Sequence, residues 1–213
     1  MPGFHEFLLF VGAGLLLNIT PGADMLFVVS NAGRHGLARG IVAAFGVFAG
    51  TLVHIALAVV GLSALLAASA TAFALVKYVG AAYLVYLGLR LLLARRHAPG
   101  PSKAISDRLP LPRLAAVFRR GLLINVLNPK IALFFLAFLP QFIHPAAGDR
   151  TLAFAVLGLT FNTTGTAVNC LAALTTVGIG QLPAVRAIGR VAERLVGALF
   201  VGLGVRLAVG HTH

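Results

Sequence analysis

The sequence predicts an all-α polytopic membrane protein, with six transmembrane helices arranged as two inverted three-helix repeats. Of its 213 residues, 59% are hydrophobic and 10% charged, and mean hydropathy is +0.97. A soluble domain carries about a quarter charged residues. Basic residues concentrate in alternate connections between the apolar segments. Finally, a proline interrupts an apolar run in each half, in Asn18-Ile19-Thr20-Pro21-Gly22-Ala23-Asp24 and in Asn125-Val126-Leu127-Asn128-Pro129-Lys130.

The spacing of charges marks six spans, at 4–30, 40–63, 71–94, 118–143, 151–176 and 190–209. The first follows Met1-Pro2-Gly3-Phe4-His5-Glu6, which has neither a basic leader nor a small-residue cleavage site, so it reads as a retained helix rather than a signal peptide. The uncharged stretches 40–76 and 151–185 exceed the roughly 20 residues that cross the hydrocarbon. Each therefore holds one helix and part of its loop or neighbour. Gly46-Val47-Phe48-Ala49-Gly50 in span two suits close helix approach, either within the chain or between two copies.

Near the end of span three, Gly88-Leu89-Arg90-Leu91 recurs as Gly204-Val205-Arg206-Leu207 near the end of span six, with Val85 and Leu87 matching Val201 and Leu203 upstream. Residues 1–97 and 115–213 thus read as related halves. With three spans each, the second half enters the membrane from the opposite side, as in many secondary transporters. Residues 98–114, rich in proline and basic side chains, read as a cytoplasmic linker held near anionic lipid heads.

The formal net charge of +12 is placed as a membrane protein places it. Arg34 and Arg39 lie between spans one and two, Arg95, Arg96, Lys103, Arg108, Arg113, Arg119 and Arg120 around the central linker, and Arg186, Arg190 and Arg194 near the last junction. Lys77 and Arg150 stand at the margins of the other connections. The positive-inside rule then sets both termini outside the cytoplasm. No aromatic-basic interleaving points to nucleic acid.

Among the five acids, Glu6, Asp24, Asp107, Asp149 and Glu193, only Asp24 falls well inside a span. An intramembrane carboxylate costs about 3 kcal/mol on insertion scales, so it faces a cavity or partner. Asp24 reads either as a proton-coupling or amine-binding group, or as a cap on the helix that restarts after Pro21 and Gly22. Lys130 sits mid-span beside the other restart. It suits a substrate carboxylate, a salt bridge to Asp24, or an aqueous vestibule.

Asn18, Thr20, Asn125 and Asn128 surround the breaks, where they either satisfy freed backbone groups or extend a binding site. His54, mid-span, is a proton relay or a hydrogen-bonded structural histidine. Asn162, Thr163, Thr164, Thr166 and Asn169 make span five polar, with Asn162 and Asn169 as candidate cavity-wall residues. Arg90 and Arg206 stand near span ends and snorkel. Cys170 is the one cysteine, so no disulfide or Cys-x-x-Cys pair can form within the chain, and it reads as a small buried hydrophobe.

The chain resembles the LysE/RhtB family of bacterial amino-acid exporters over almost its whole length. The matching stretches are 18–25 through Pro21 and Asp24, Gly36-Leu37-Ala38-Arg39-Gly40, the 78–84 run with Leu87-Gly88, Phe118-Arg119-Arg120-Gly121 through Asn128-Pro129-Lys130, and 134–142. Where the family usually has a second proline this chain has Ala23, which leaves the break to Pro21 and Gly22.

The resemblance implies efflux of amino acids or related metabolites from the bacterial cytoplasm across the inner membrane, driven by the proton-motive force. It maps the site onto Pro21, Gly22, Asp24, Asn128, Pro129 and Lys130. The only acid well inside a span being Asp24, a neutral zwitterion such as homoserine, threonine or leucine is favoured over a dication. The implied partners are the amino acid, protons, membrane lipids and, as a candidate homodimer, a second copy of the chain, with no cofactor and no resident metal. A metal-ion or other cation exporter of the same superfamily is the alternative, though Asp24 with one mid-span histidine is a poor ligand set. A thiol-disulfide carrier would need a second cysteine, and no nucleophile-base arrangement suggests an enzyme.

Overall fold

A computed structural model describes residues 3–62, 111–143 and 150–178, together with scattered helical positions between 75 and 93 and between 197 and 209. The linker up to position 110 lies outside the described residues, as do Arg90, Leu91, Arg206, Leu207, Lys77 and the basic residues 186, 190 and 194. Every element among the described residues is helical.

α1 (Phe4–Ile19) starts where the Glu6 carboxylate accepts the Gly3 N–H at 3.0 Å, and stops before Pro21, which has no N–H to continue it. α2 (Ala23–His35) begins at the Gly22 cap with Asp24 in its first turn and ends with Arg34 and His35 in its last, the charge order that opposes the helix dipole. The two meet at a 51° bend and together are long and apolar enough to cross a membrane as one broken span. Gly36 takes φ of 87°, a left-handed geometry that favours glycine, and turns the chain directly into α3 (Leu37–Leu57). A side chain at Gly40 would collide with Ala32 across that corner, and Arg39 ties it to the second half by donating to the Pro112 carbonyl at 3.0 Å.

The 21 residues of α3 rise about 31 Å at about 1.5 Å each, enough to cross the hydrocarbon, and one π turn at Ala58–Leu62 extends it. α4 (Leu114–Val126) ends before Pro129, and α5 (Pro129–Leu133) restarts at a 47° bend, continuing through a π turn at Phe134–Phe138 and a 3-10 turn at Leu139–Phe142. α6 (Arg150–Gly178) is a second long unbroken span. The observed helices run a few residues past the sequence-based spans, at the C-terminal ends of α2 and α6 and at the N-terminal starts of α3 and α4.

α3 is the central helix, packed along α4 and against α2 and α6. Gly46 and Gly50 face α4. A Cβ at Gly46 would run into the Phe118 carbonyl, and one at Gly50 would lie 2.7 Å from Asn125 Cβ. The small-residue motif of span two therefore serves packing inside the chain. On the other side Gly14 faces Phe161 and Gly165 faces Asn18. Gly14 precedes Asn18 by four residues as Gly121 precedes Asn125, and Gly46 precedes Gly50 as Phe161 precedes Gly165. Both sets of contacts thus follow one plan. A third set joins described helical positions of the two regions expected as spans three and six, where Gly88 abuts Gly197 and Val201 while Gly204 abuts Ala81 and Val85.

Two apolar cores lie on opposite sides of the breaks. One is built largely of aromatic rings, with Phe10, Phe134, Phe135, Phe138, Phe154 and Phe161 buried together. The other is built of small side chains, Val28, Ala32, Ala43, Ala44, Val47, Val117 and Ala173. Along each of the four helical segments that contribute to both cores, the buried side chains between them are polar.

Candidate functional site

That intervening layer contains Thr20 and Asp24 from the first broken span, Thr51 and His54 from α3, Asn125 and Asn128 from the second broken span, and Asn162 and Asn169 from α6, all buried. A polar group removed from water needs a partner, so the layer is held by reciprocal hydrogen bonds.

Asp24 is 8% exposed. Its Oδ2 accepts from Asn125 Nδ2 and from Asn128 Nδ2, each at 3.0 Å, while its Oδ1 is buried without a partner among the described residues. Asn128 is also the N-cap of α5, its Oδ1 accepting the Lys130 backbone N–H at 3.0 Å. One amide therefore joins the cap of one restarted helix to the first-turn carboxylate of the other. Asp24 stands in the first turn of α2, where its charge suits the helix dipole, but it makes no capping bond, the cap being Gly22; its bonded oxygen turns instead to the second broken segment.

Lys130 takes a different partner from the salt bridge that the sequence leaves open. Its Nζ donates to the Leu17 carbonyl at 3.3 Å and to the Thr20 carbonyl at 3.2 Å. Leu17 O is the acceptor that a residue-21 N–H would have taken, and proline has none. The ammonium thus fills acceptors released by the break in the other half, at the negative end of the α1 dipole. Gly22 makes room for it, since a Cβ there would lie 3.0 Å from Lys130 Nζ. The Lys130 ammonium therefore bonds to backbone oxygens, and the Asp24 carboxylate to amides.

The rings of Pro21 and Pro129 are exposed and do not line the layer. What they contribute is the backbone break. Thr20 folds its hydroxyl back onto the Leu16 carbonyl at 2.9 Å, satisfying its own helix end. Asn18 donates to the Phe161 carbonyl at 3.2 Å and lies 3.3 Å from the Thr164 hydroxyl, so it binds α1 to α6. Asn162 donates to the Phe48 carbonyl at 3.2 Å, joining α6 to α3. Asn169 is buried in the same helix.

His54 sets its Nε2 3.1 Å from the Asn125 carbonyl, a contact that requires the proton on that nitrogen, and stacks on Phe135 with centroids 6.1 Å apart. The Thr51 hydroxyl lies 3.3 Å from Asn125 Oδ1 and 3.2 Å from the Val47 carbonyl. Asn125 is therefore the hub, touching Asp24, Thr51 and His54. Sequence reasoning places Asn125 among the residues around the break but misses Thr51. The signal for Thr51 is its position one turn before His54 on the face that carries Gly46 and Gly50. Cys170 packs at the edge of the small-residue core with a free thiol. Among the described residues, no group of three His, Cys, Asp or Glu side chains is placed to hold a metal ion.

A family model described as LysE type translocator matches residues 15–211. An uncharacterized membrane protein of Pseudomonas aeruginosa is 34% identical over 97% of this chain and 96% of its own length. One of Vibrio cholerae is also 34% identical, over 96% of this chain and 97% of its own. A protein of Salmonella typhimurium named leucine efflux protein is 32% identical over 93% of this chain and 92% of its own. No solved structure matches.

Proposed function

The chain belongs to the LysE-type translocators, and from that membership we propose that it is a secondary active exporter of neutral zwitterionic amino acids or close metabolites such as homoserine, threonine or leucine. The observation that carries this reading is the meeting of two proline-broken spans, one from each half. They supply a buried carboxylate and an ammonium held on freed backbone carbonyls. Broken helices paired in this way are the usual construction of a transporter's central site. The kinship with proteins named for leucine efflux favours an aliphatic neutral substrate.

In this reading the protein lies in the bacterial inner membrane with six spans and both termini outside, and the proton-motive force drives export. The repeated contact plan, Gly14 and Asn18 on α6 against Gly121 and Asn125 on α3, supports two inverted halves related by a two-fold axis in the membrane plane. Asp24 is the proton-coupling group, with His54 linked to it through Asn125.

Counterflow in proteoliposomes tests the proposal. Vesicles loaded with unlabelled leucine, threonine or homoserine are expected to accumulate the labelled amino acid transiently, and vesicles loaded with lysine or a divalent cation are not. Accumulation with the cation alone, or with none of the amino acids, rejects the reading.

A further inference from the structure

The geometry points to a role for Lys130 beyond lining the site: its ammonium is a tethered stand-in for the ammonium group of the transported amino acid. The Leu17 and Thr20 carbonyls are the substrate's ammonium subsite, and Lys130 occupies them when the carrier is empty. The identity of the natural occupant rests on the amino-acid export proposed above; the subsite itself rests on the geometry.

Two carbonyl oxygens left open at a helix break inside a membrane are costly unless a donor fills them. Here the donor comes from the opposite half of the chain, 3.3 Å from Leu17 O and 3.2 Å from Thr20 O. It is a primary ammonium, the same chemical group that every α-amino acid carries. Gly22 leaves the space that this group needs, because a Cβ at that position would stand 3.0 Å from Nζ. An α-ammonium has three N–H donors, one more than the two carbonyls accept. Asp24 Oδ1, two residues beyond Gly22, is a buried oxygen with no hydrogen-bond donor among the described residues.

A side chain on a flexible four-carbon stem can leave these oxygens when a substrate ammonium takes them, and return when the substrate departs. Its tether gives it a high effective concentration, so the empty carrier never presents bare carbonyls to the membrane interior. Such a carrier needs Lys130 for the return of the empty state and does not need it to move a loaded site. A permanent cap on α1 would instead be needed in both steps.

The experiment compares net efflux with exchange in proteoliposomes, using wild type and Lys130→Ala, with Lys130→Met as a second variant where the alanine form does not fold. Net efflux of leucine into substrate-free buffer is expected to fall at least about tenfold, the scale of a lost set of charge-assisted hydrogen bonds. Leucine–leucine exchange is expected to fall by a clearly smaller factor, so that the ratio of net efflux to exchange drops at least about threefold. Equal loss of both modes, or no loss of either, overturns the proposal.

A second readout does not depend on export. Ethylammonium chloride is expected to raise the melting temperature of purified Lys130→Ala by several degrees, with no such shift in wild type. Tetramethylammonium, which has no N–H, and sodium are expected to give none in either protein. A shift with sodium or tetramethylammonium equal to that with ethylammonium, or none with any of the three, overturns the subsite. Failure of wild-type leucine exchange would count against the export reading and leave this melting test standing.

Discussion

Asp24 receives two amide donors on one oxygen and, among the described residues, none on the other. Replacing it by asparagine keeps the volume but removes the charge that both asparagines address, and a hydrogen bond to a charged group is worth about 1.5–3 kcal/mol. Asp24→Asn is expected to fold, to lower net efflux about tenfold or more, and to flatten its dependence on pH; efflux measured at several pH values checks this. Because Lys130 bonds to carbonyls rather than to Asp24, adding Lys130→Gln is not expected to restore transport. Recovery in the double variant would mark the two as a simple charge pair. Gly22 offers a sharper probe. Gly22→Ala sets a methyl group against the Lys130 ammonium, whereas Gly12→Ala meets nothing within 4 Å. The first is expected to cut net efflux several-fold and the second to leave it unchanged while raising stability by about 0.5–1 kcal/mol, as alanine does in place of an exposed helix-interior glycine; parallel efflux and thermal melts of the two variants decide it.

At the scale of the element, the 51° break between α1 and α2 exists because residue 21 lacks an N–H and its ring crowds the preceding turn. Pro21→Ala restores a donor that reaches for Leu17 O and so competes with Lys130. A proline inside a helix costs about 3 kcal/mol relative to alanine. The variant is therefore expected to melt at the wild-type temperature or above while losing net efflux, a stability gained where transport is lost. A lower melting temperature together with intact efflux would show that the break serves folding alone. The long spans α3 and α6 carry no such interruption, and they act as the walls against which the broken pairs are held.

For the whole molecule, the aromatic core and the small-residue core differ in kind, and the polar layer separates them. In the aromatic core Phe10, Phe134 and Phe138 pack with ring centroids 5.0 to 6.2 Å apart, and the orientation proposed from the basic residues would turn this core toward the outside. That orientation has a direct check. With Cys170 first replaced, Lys103→Cys in the central linker is expected to react with a membrane-impermeant maleimide only from the cytoplasmic side. Reaction from outside would invert the topology and place the aromatic core toward the cytoplasm.

Helicity, membrane residence, both breaks and the residues beside them were legible in the sequence because each follows from local composition. Apolar length, the missing proline N–H and the rarity of intramembrane charge need no knowledge of distant neighbours. Asp24 and Lys130 could be singled out on those grounds, and so could Asn18, Asn125 and Asn128. Their partners could not. Lys130 had a carboxylate, a substrate or water to choose from by sequence, and found the carbonyls of Leu17 and Thr20; Asn125 became the hub only because Thr51 and His54 on α3 face it. A hydrogen bond is fixed by the position of two groups to within a few tenths of an ångström, and here those groups stand on helices far apart in the chain. The sequence determines which groups the membrane forces inward; the packing of α3 between the broken spans, set by Gly46, Gly50 and Gly121, decides which of them meet.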